Sequence, residues 1–204
     1  MVLYQILKPL AVALMRLYFR LEVDGREHVP RAGPVLLVSN HLSVLDPPLI
    51  GGASPRELFF LAKEELFRVP VFGGFIRALN ARPVKRHGPD SRALKTALRL
   101  LEEGRALLVF PEGTRSVEGR LGEGKPGAGM LAVMSEAPVL PVHISGTGRA
   151  LPPGSAAPRP AKVRVRFGPP LHFKAEPDDQ RKERYREATR EMMRAIAQLQ
   201  EQTV

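Results

Sequence analysis

The sequence predicts one α/β domain, a largely parallel mixed sheet flanked by helices, and three observations lead there. The chain has 204 residues, the size of a single compact domain. Apolar residues make up 44% of it, enough for a continuous core and too many for a disordered chain. Short runs rich in Val, Leu and Phe alternate with helical periodicity, the order that lays crossover helices over parallel strands.

Residues 1–21 (MVLYQILKPLAVALMRLYFRL) carry Lys8, Arg16 and Arg20 and no acid. On a wheel of ~100° per residue, Gln5, Lys8, Arg16 and Arg20 fall within an arc of about 120°, with Leu3, Ile6, Leu7, Leu10, Leu14, Leu17 and Leu21 opposite. A bilayer span needs roughly 20 apolar residues, and every such window here includes a charge. Arg16 and Arg20 interrupt the apolar run and no A-x-A site follows, which speaks against a cleaved signal peptide. Two readings stay open: an amphipathic helix at a membrane interface, its cations placed for lipid phosphates, or a first helix packed on the core. The α/β domain then takes residues 22–204.

Strands are predicted over Val35–Ser39, Leu58–Ala62, Ala106–Phe110, Val139–Ser145 and Lys162–Phe167, each a short apolar or β-branched run. Between Asp90 and Glu103 the pattern is helical: Asp90 or Ser91 caps it, Leu94, Ala97, Leu98 and Leu101 share a face, and Gly104 stops it. Further helices are predicted at Gly127–Glu136 and Asp179–Gln202. Residues 151–160 (LPPGSAAPRP) read as a Pro/Gly loop inside the domain.

Charge narrows the partners. Thirty-one Lys and Arg against 21 Asp and Glu leave +10, so an anionic partner is expected: nucleic acid, a phosphorylated substrate or an anionic bilayer. Twenty-three of those bases are Arg, which favours forked recognition of phosphate. The absence of Cys removes disulfides, thiolate catalysis and cysteine metal sites. No Trp and three Tyr argue against a base-stacking surface for nucleic acid. Seven bases and one acid, Asp90, lie between Arg77 and Arg99, whereas the bases from Arg181 to Arg194 interleave with Glu183, Glu187 and Glu191 as on a solvated helix face.

Two segments carry chemistry. Asn40-His41-Leu42-Ser43-Val44-Leu45-Asp46 follows directly on the strand Val35–Ser39, and the carboxyl end of a strand is where open α/β sheets place their sites. A His with a nearby carboxylate is the minimum for a general base, because the acid fixes the tautomer and stabilises the imidazolium. In a continuous helix the five-residue spacing would set the two side chains about 140° apart, so they meet only if the chain turns between them. Pro47 and Pro48 make Asp46 read as a helix N-cap, a structural role that competes with the catalytic one. Phe110-Pro111-Glu112-Gly113-Thr114-Arg115-Ser116 follows the strand Ala106–Phe110 in the same way. The amides of Gly113 and Thr114 and the Arg115 fork suit a phosphate, while Glu112 beside Arg115 also reads as an ion pair that shapes the turn.

Other motifs fail. Gly122 to Gly127 spells G-x-G-x-x-G without a preceding strand, and Gly119 to Lys125 spells G-x-x-x-x-G-K with Pro126 where the metal-binding hydroxyl belongs. No G-x-S-x-G occurs, and the five His show no ligand spacing, so neither a serine elbow nor a metal site is expected.

On these segments the chain resembles the PlsC-type glycerolipid acyltransferases, the 1-acylglycerol-3-phosphate acyltransferases. Asn40-His41 and Asp46 match the N-H-x-x-x-x-D block. Lys63-Glu64-Glu65-Leu66 with Pro70, Gly73 and Arg86 is similar to the second block, although Asn80-Ala81-Arg82 stand where a Gly is usual. Phe110 to Ser116, extended by Gly124-Lys125-Pro126-Gly127-Ala128, match the third, and Val139-Leu140-Pro141-Val142 the fourth. The resemblance implies acyl transfer from a thioester, acyl-CoA or acyl carrier protein as co-substrate, to the sn-2 hydroxyl of lysophosphatidic acid, giving phosphatidic acid without a further cofactor. His41 would be the base and Asp46 its orienter. Arg115, with Glu112, Gly113 and Thr114, would hold the acceptor phosphate, and Lys63 and Arg86 would contact phosphate or polarise the oxyanion. It further implies a peripheral protein at the cytoplasmic face of an anionic membrane, with a lipid substrate and no nucleic acid. Other acceptors (a lysophospholipid, a lyso-ornithine lipid, glycerol 3-phosphate) and a non-catalytic basic membrane-binding module are the competing readings.

Overall fold

The computed structural model describes residues 9, 12–84, 91–116, 120–155, 157–175 and 180–201. Seven strands join in one sheet: β1 (Glu22–Asp24), β2 (Val35–Ser39), β3 (Leu58–Lys63), β4 (Ala81–Val84), β5 (Ala106–Val109), β6 (Val139–Ser145) and β7 (Arg164–Phe167). Their spatial order is β1-β7-β6-β2-β5-β3-β4, and only the β6–β7 pair is antiparallel. The mixed, largely parallel α/β sheet is therefore the architecture the alternation predicts.

Burial explains which strands the sequence announces. In β2, Val35 and Leu37 face one core cluster and Leu36 and Val38 the other, so the strand is apolar from Val35 to Val38. The edges are different: β1 is Glu-Val-Asp and β4 is Ala-Arg-Pro-Val, neither an apolar run, and neither is predicted. An edge strand needs only one buried face and tolerates Pro83 because one side has no ladder to complete. Charge holds β1 in place, with Arg164 and Lys162 each 2.7 Å from the Glu22 carboxylate.

Helices cover both faces. Onto one pack α1 (Asp46–Ala53) and α2 (Phe72–Ala78), whose Pro- and Gly-rich sequences hide them from periodicity. Onto the other pack α3 (Ser91–Glu102), α4 (Pro126–Ser135) and, after the short turn α5 (Thr147–Ala150), the long α6 (Arg181–Glu201). Gly104 ends α3 at φ 72 as predicted, with the Arg105 amide returning to the Leu100 carbonyl in a Schellman closure. Residues 1–8, 10 and 11 of the N-terminal helix expected over residues 1–21 lie outside the described residues. Residues 12–18 are helical, with Phe19 buried and Leu17 80% exposed.

The α4–α6 contact is set by a glycine. A methyl group on Gly129 would stand 1.9 Å from the Tyr185 carbonyl oxygen, and its amide donates to Thr189 Oγ1 at 3.1 Å. Gly129→Ala is expected to force α6 off the sheet and destabilise the fold by about 2–3 kcal/mol, read as a drop in denaturant midpoint at unchanged slope. His143, buried on β6, belongs to this structural layer too. Burial and then Arg166 hold its pKa down to about 4, so it is a neutral core histidine.

Candidate active site

The chain reverses direction at the centre of the sheet. From β2 it passes through α1 to β3 and β4 on one side, and from β5 it passes through α4 to β6 on the other. Such a switch point opens a crevice at the carboxyl ends of β2, β5 and β6. Both segments singled out from the sequence lie there.

Asn40, buried at the end of β2, bridges to β6 twice. Its Nδ2 donates to the Ile144 carbonyl at 2.9 Å, and its Oδ1 accepts from the Ile144 amide at 2.8 Å. This clamp fixes where the next residue starts. His41 Nδ1 lies 2.7 Å from Asp46 Oδ2, so the turn over residues 42–45 brings together two side chains that a continuous helix would separate. Asp46 is fully buried, and the same Oδ2 accepts from the amides of Leu42 at 2.6 Å and Ser43 at 2.8 Å. Asp46 therefore opens α1 with its carboxylate turned backward onto the loop, where the sequence reads it as a forward N-cap.

That arrangement selects a tautomer. A carboxylate oxygen that already takes two backbone N–H donors can only accept from the ring, so His41 Nδ1 carries a proton and leaves Nε2 its lone pair. The ring stacks on Phe110, with centroids 4.0 Å apart and planes 18° off parallel, and its side chain is 19% exposed. A rigid, oriented imidazole with one basic nitrogen at the rim of a crevice is equipped to take a proton from a hydroxyl.

The β5 turn closes over it. The Ser116 amide donates to the His41 carbonyl at 2.8 Å, and the His41 amide donates to Glu112 Oε1 at 3.1 Å. Glu112 Oε2 accepts from the Gly122 amide at 3.0 Å. Glu112 is thus buried with both oxygens on backbone amides, tying three loops together. Its oxygens are turned to these amides and not to Arg115. The Gly113 amide closes its own turn onto the Phe110 carbonyl at 3.0 Å. Thr114 and Arg115 are exposed beyond that turn.

Lys63 ends β3, next to β5 in the sheet, and reaches the same edge with an exposed side chain. Arg86 lies outside the described residues. One residue goes unassigned in the sequence reading. Gly113 sits at φ 68, and a Cβ there would fall 3.0 Å from Lys125 Nζ, so the Lys125 ammonium lies against the turn that carries Arg115. Its signal was present as the basic residue of a false phosphate-loop match, but the chain fold was needed to bring it here.

The sequence model of the Acyltransferase family matches residues 20–145. A 1-acyl-sn-glycerol-3-phosphate acyltransferase of Bacillus subtilis is 31% identical over 152 residues, 74% of this chain and 73% of that protein. A chloroplastic 1-acyl-sn-glycerol-3-phosphate acyltransferase of Arabidopsis thaliana is 34% identical over 159 residues, covering 76% of this chain and 44% of the plant protein. The chain spans less than half the length of that protein and of its Brassica napus counterpart. The crystal structure of the lysophosphatidic acid acyltransferase PlsC from Thermotoga maritima superposes with a TM-score of 0.71 at 30% identity, covering 95% of this chain and 81% of that one.

Proposed function

We propose, for a chain that belongs to the PlsC-type acyltransferase family, that it moves a fatty acyl group from a thioester to the sn-2 hydroxyl of 1-acylglycerol 3-phosphate, forming phosphatidic acid. The buried Asp46 and the tautomer it imposes on His41 carry this reading. His41 Nε2 takes the hydroxyl proton as the oxygen attacks the thioester carbonyl. The tetrahedral oxyanion collapses, the carbon–sulfur bond breaks, and the imidazolium returns its proton to the leaving thiolate. Asp46 orients the ring and compensates its transient charge. No acyl-enzyme is required, in keeping with a chain that has no Cys and no serine elbow.

Arg115 is assigned to the acceptor phosphate, joined by Lys125 beside the same turn, with Thr114 at its rim. Glu112 and Gly113 set the shape of that turn. Lys63 and Arg86 are assigned to phosphate contact or polarisation of the oxyanion. The donor is acyl-CoA or an acyl carrier protein, with no other cofactor. A long-chain acceptor must be collected from a bilayer. Among the described residues no helix is long and apolar enough to cross one. The protein is accordingly read as peripheral, held at the cytoplasmic face by its N-terminal segment.

Initial rates on a panel of acceptors test this reading. With palmitoyl-CoA, lysophosphatidic acid should be used at the highest kcat/KM, ahead of glycerol 3-phosphate, lysophosphatidylcholine and a lyso-ornithine lipid. Arg115→Gln should raise KM for lysophosphatidic acid by about tenfold or more, with kcat little changed, because it removes a forked contact to an anion. Turnover that ignores lysophosphatidic acid contradicts the assignment.

A further inference from the structure

The turn that joins β3 to α2 has two features that packing does not explain. The first is exposure. Leu66 within the 3-10 segment Glu64–Arg68 and Val69 and Val71 after it stand 37%, 48% and 90% exposed, three apolar side chains within six residues. The second is strain. Val71 follows Pro70 at φ 64, the left-handed region that turns of this kind reserve for Gly or Asn. A β-branched side chain there is an outlier, held against its preference and given no protein contact surface in return.

The base of the turn is rigid enough to impose this. Phe67 is buried in the core, and the Gly73 amide donates to the Val69 carbonyl at 2.9 Å. Gly73 presses so close to the Phe67 carbonyl that a Cβ would stand 2.3 Å from its oxygen. The loop is clamped below and thrusts Val71 outward. Beside it opens a groove of about 350 Å³ lined in part by Glu64, Phe67, Arg68, Arg77 and Arg92, with Arg68 paired to the Glu64 carboxylate at 3.1 Å. Arg77 lies over the Phe67 ring, 5.2 Å from its centroid. All of this follows the carboxyl end of β3, the sheet edge that also carries His41.

We propose that the Leu66–Val71 tip is a membrane-insertion wedge, seated in the acyl region of an anionic bilayer while the neighbouring arginines meet lipid phosphates. An apolar tip beside a basic groove matches a bilayer's own order of hydrocarbon beneath anionic headgroups. This anchor is separate from the N-terminal segment, and it keeps the catalytic edge against the leaflet. It rests on the lipid-acyltransferase reading only for its purpose, since insertion is measured without turnover.

The chain has no Trp, so Val71→Trp places a single indole at the tip. With vesicles of phosphatidylglycerol and phosphatidylcholine, its emission should shift to the blue and be quenched by lipids brominated near the top of the acyl chain. A second variant, Val69→Ser with Val71→Asn, removes the apolar surface and supplies a residue suited to φ 64. Its thermal midpoint should hold or rise, its partitioning onto the same vesicles should fall about tenfold, and its turnover of a water-soluble short-chain acceptor should stay unchanged. Water-like indole emission on vesicles overturns the proposal, whether the protein stays in solution or co-sediments through other contacts. Undiminished partitioning of the double variant overturns it as well. Because no acylation is read in these arms, a chain that binds vesicles without using lysophosphatidic acid would refute the substrate assignment and leave the wedge standing.

Discussion

His41→Ala is expected to lower kcat by about 10²–10⁴-fold, the usual contribution of a positioned general base, while vesicle binding and the thermal midpoint stay close to those of the parent. The ring is one-fifth exposed and makes its one hydrogen bond to Asp46, so its loss leaves a small solvent-accessible gap and no broken core. KM for the acceptor should move little, because the proposed phosphate site is the separate β5 turn. A variant that keeps more than a tenth of the parental kcat would show that another group takes the hydroxyl proton.

Asp46→Asn should be about as damaging, on the order of 10³–10⁴-fold in kcat, for a different reason. With its oxygen at the Oδ2 position the amide still accepts from Leu42, Ser43 and the ring nitrogen, but it brings no charge to compensate the imidazolium, and its NH₂ takes the buried Oδ1 position, where it has no acceptor. Ring-nitrogen NMR shifts of His41 separate this from simple misfolding: Nδ1 should stay protonated in parent and variant alike. Asp46→Ala goes further and leaves two buried amides without an acceptor, so it should also cost about 1–3 kcal/mol of stability for each. Full activity in Asp46→Asn would remove the carboxylate from the mechanism.

His41 and Asp46 were legible in the sequence as candidates because their segment follows a buried strand, but their meeting was not. Helical spacing sets them apart, and what brings them together is a turn whose amides themselves need the Asp46 oxygen. The core strands were legible for the same reason that β2 is apolar from Val35 to Val38: both faces are covered. Strands β1 and β4 were not, since an edge needs one buried face and can carry Glu22, Asp24, Arg82 and Pro83. Helices α1 and α2 were not, because Gly and Pro erase the periodicity and tertiary packing supplies the stability that propensity withholds. Glu112 shows the limit most clearly. Beside Arg115 in sequence it reads as part of a phosphate site, yet its oxygens reach His41 and Gly122, a choice that only the closure of three loops decides.

If His41 activates the acceptor hydroxyl for direct transfer, no acyl group rests on the protein at any stage. The measurement that tests it is thiol release from palmitoyl-CoA by the purified chain, with the lipid product quantified in the same samples. Thiol should appear only when lysophosphatidic acid is present, one for each phosphatidic acid formed, and His41→Ala should abolish both together. Thiol released without acceptor, or an acylated protein detected by mass, would contradict it.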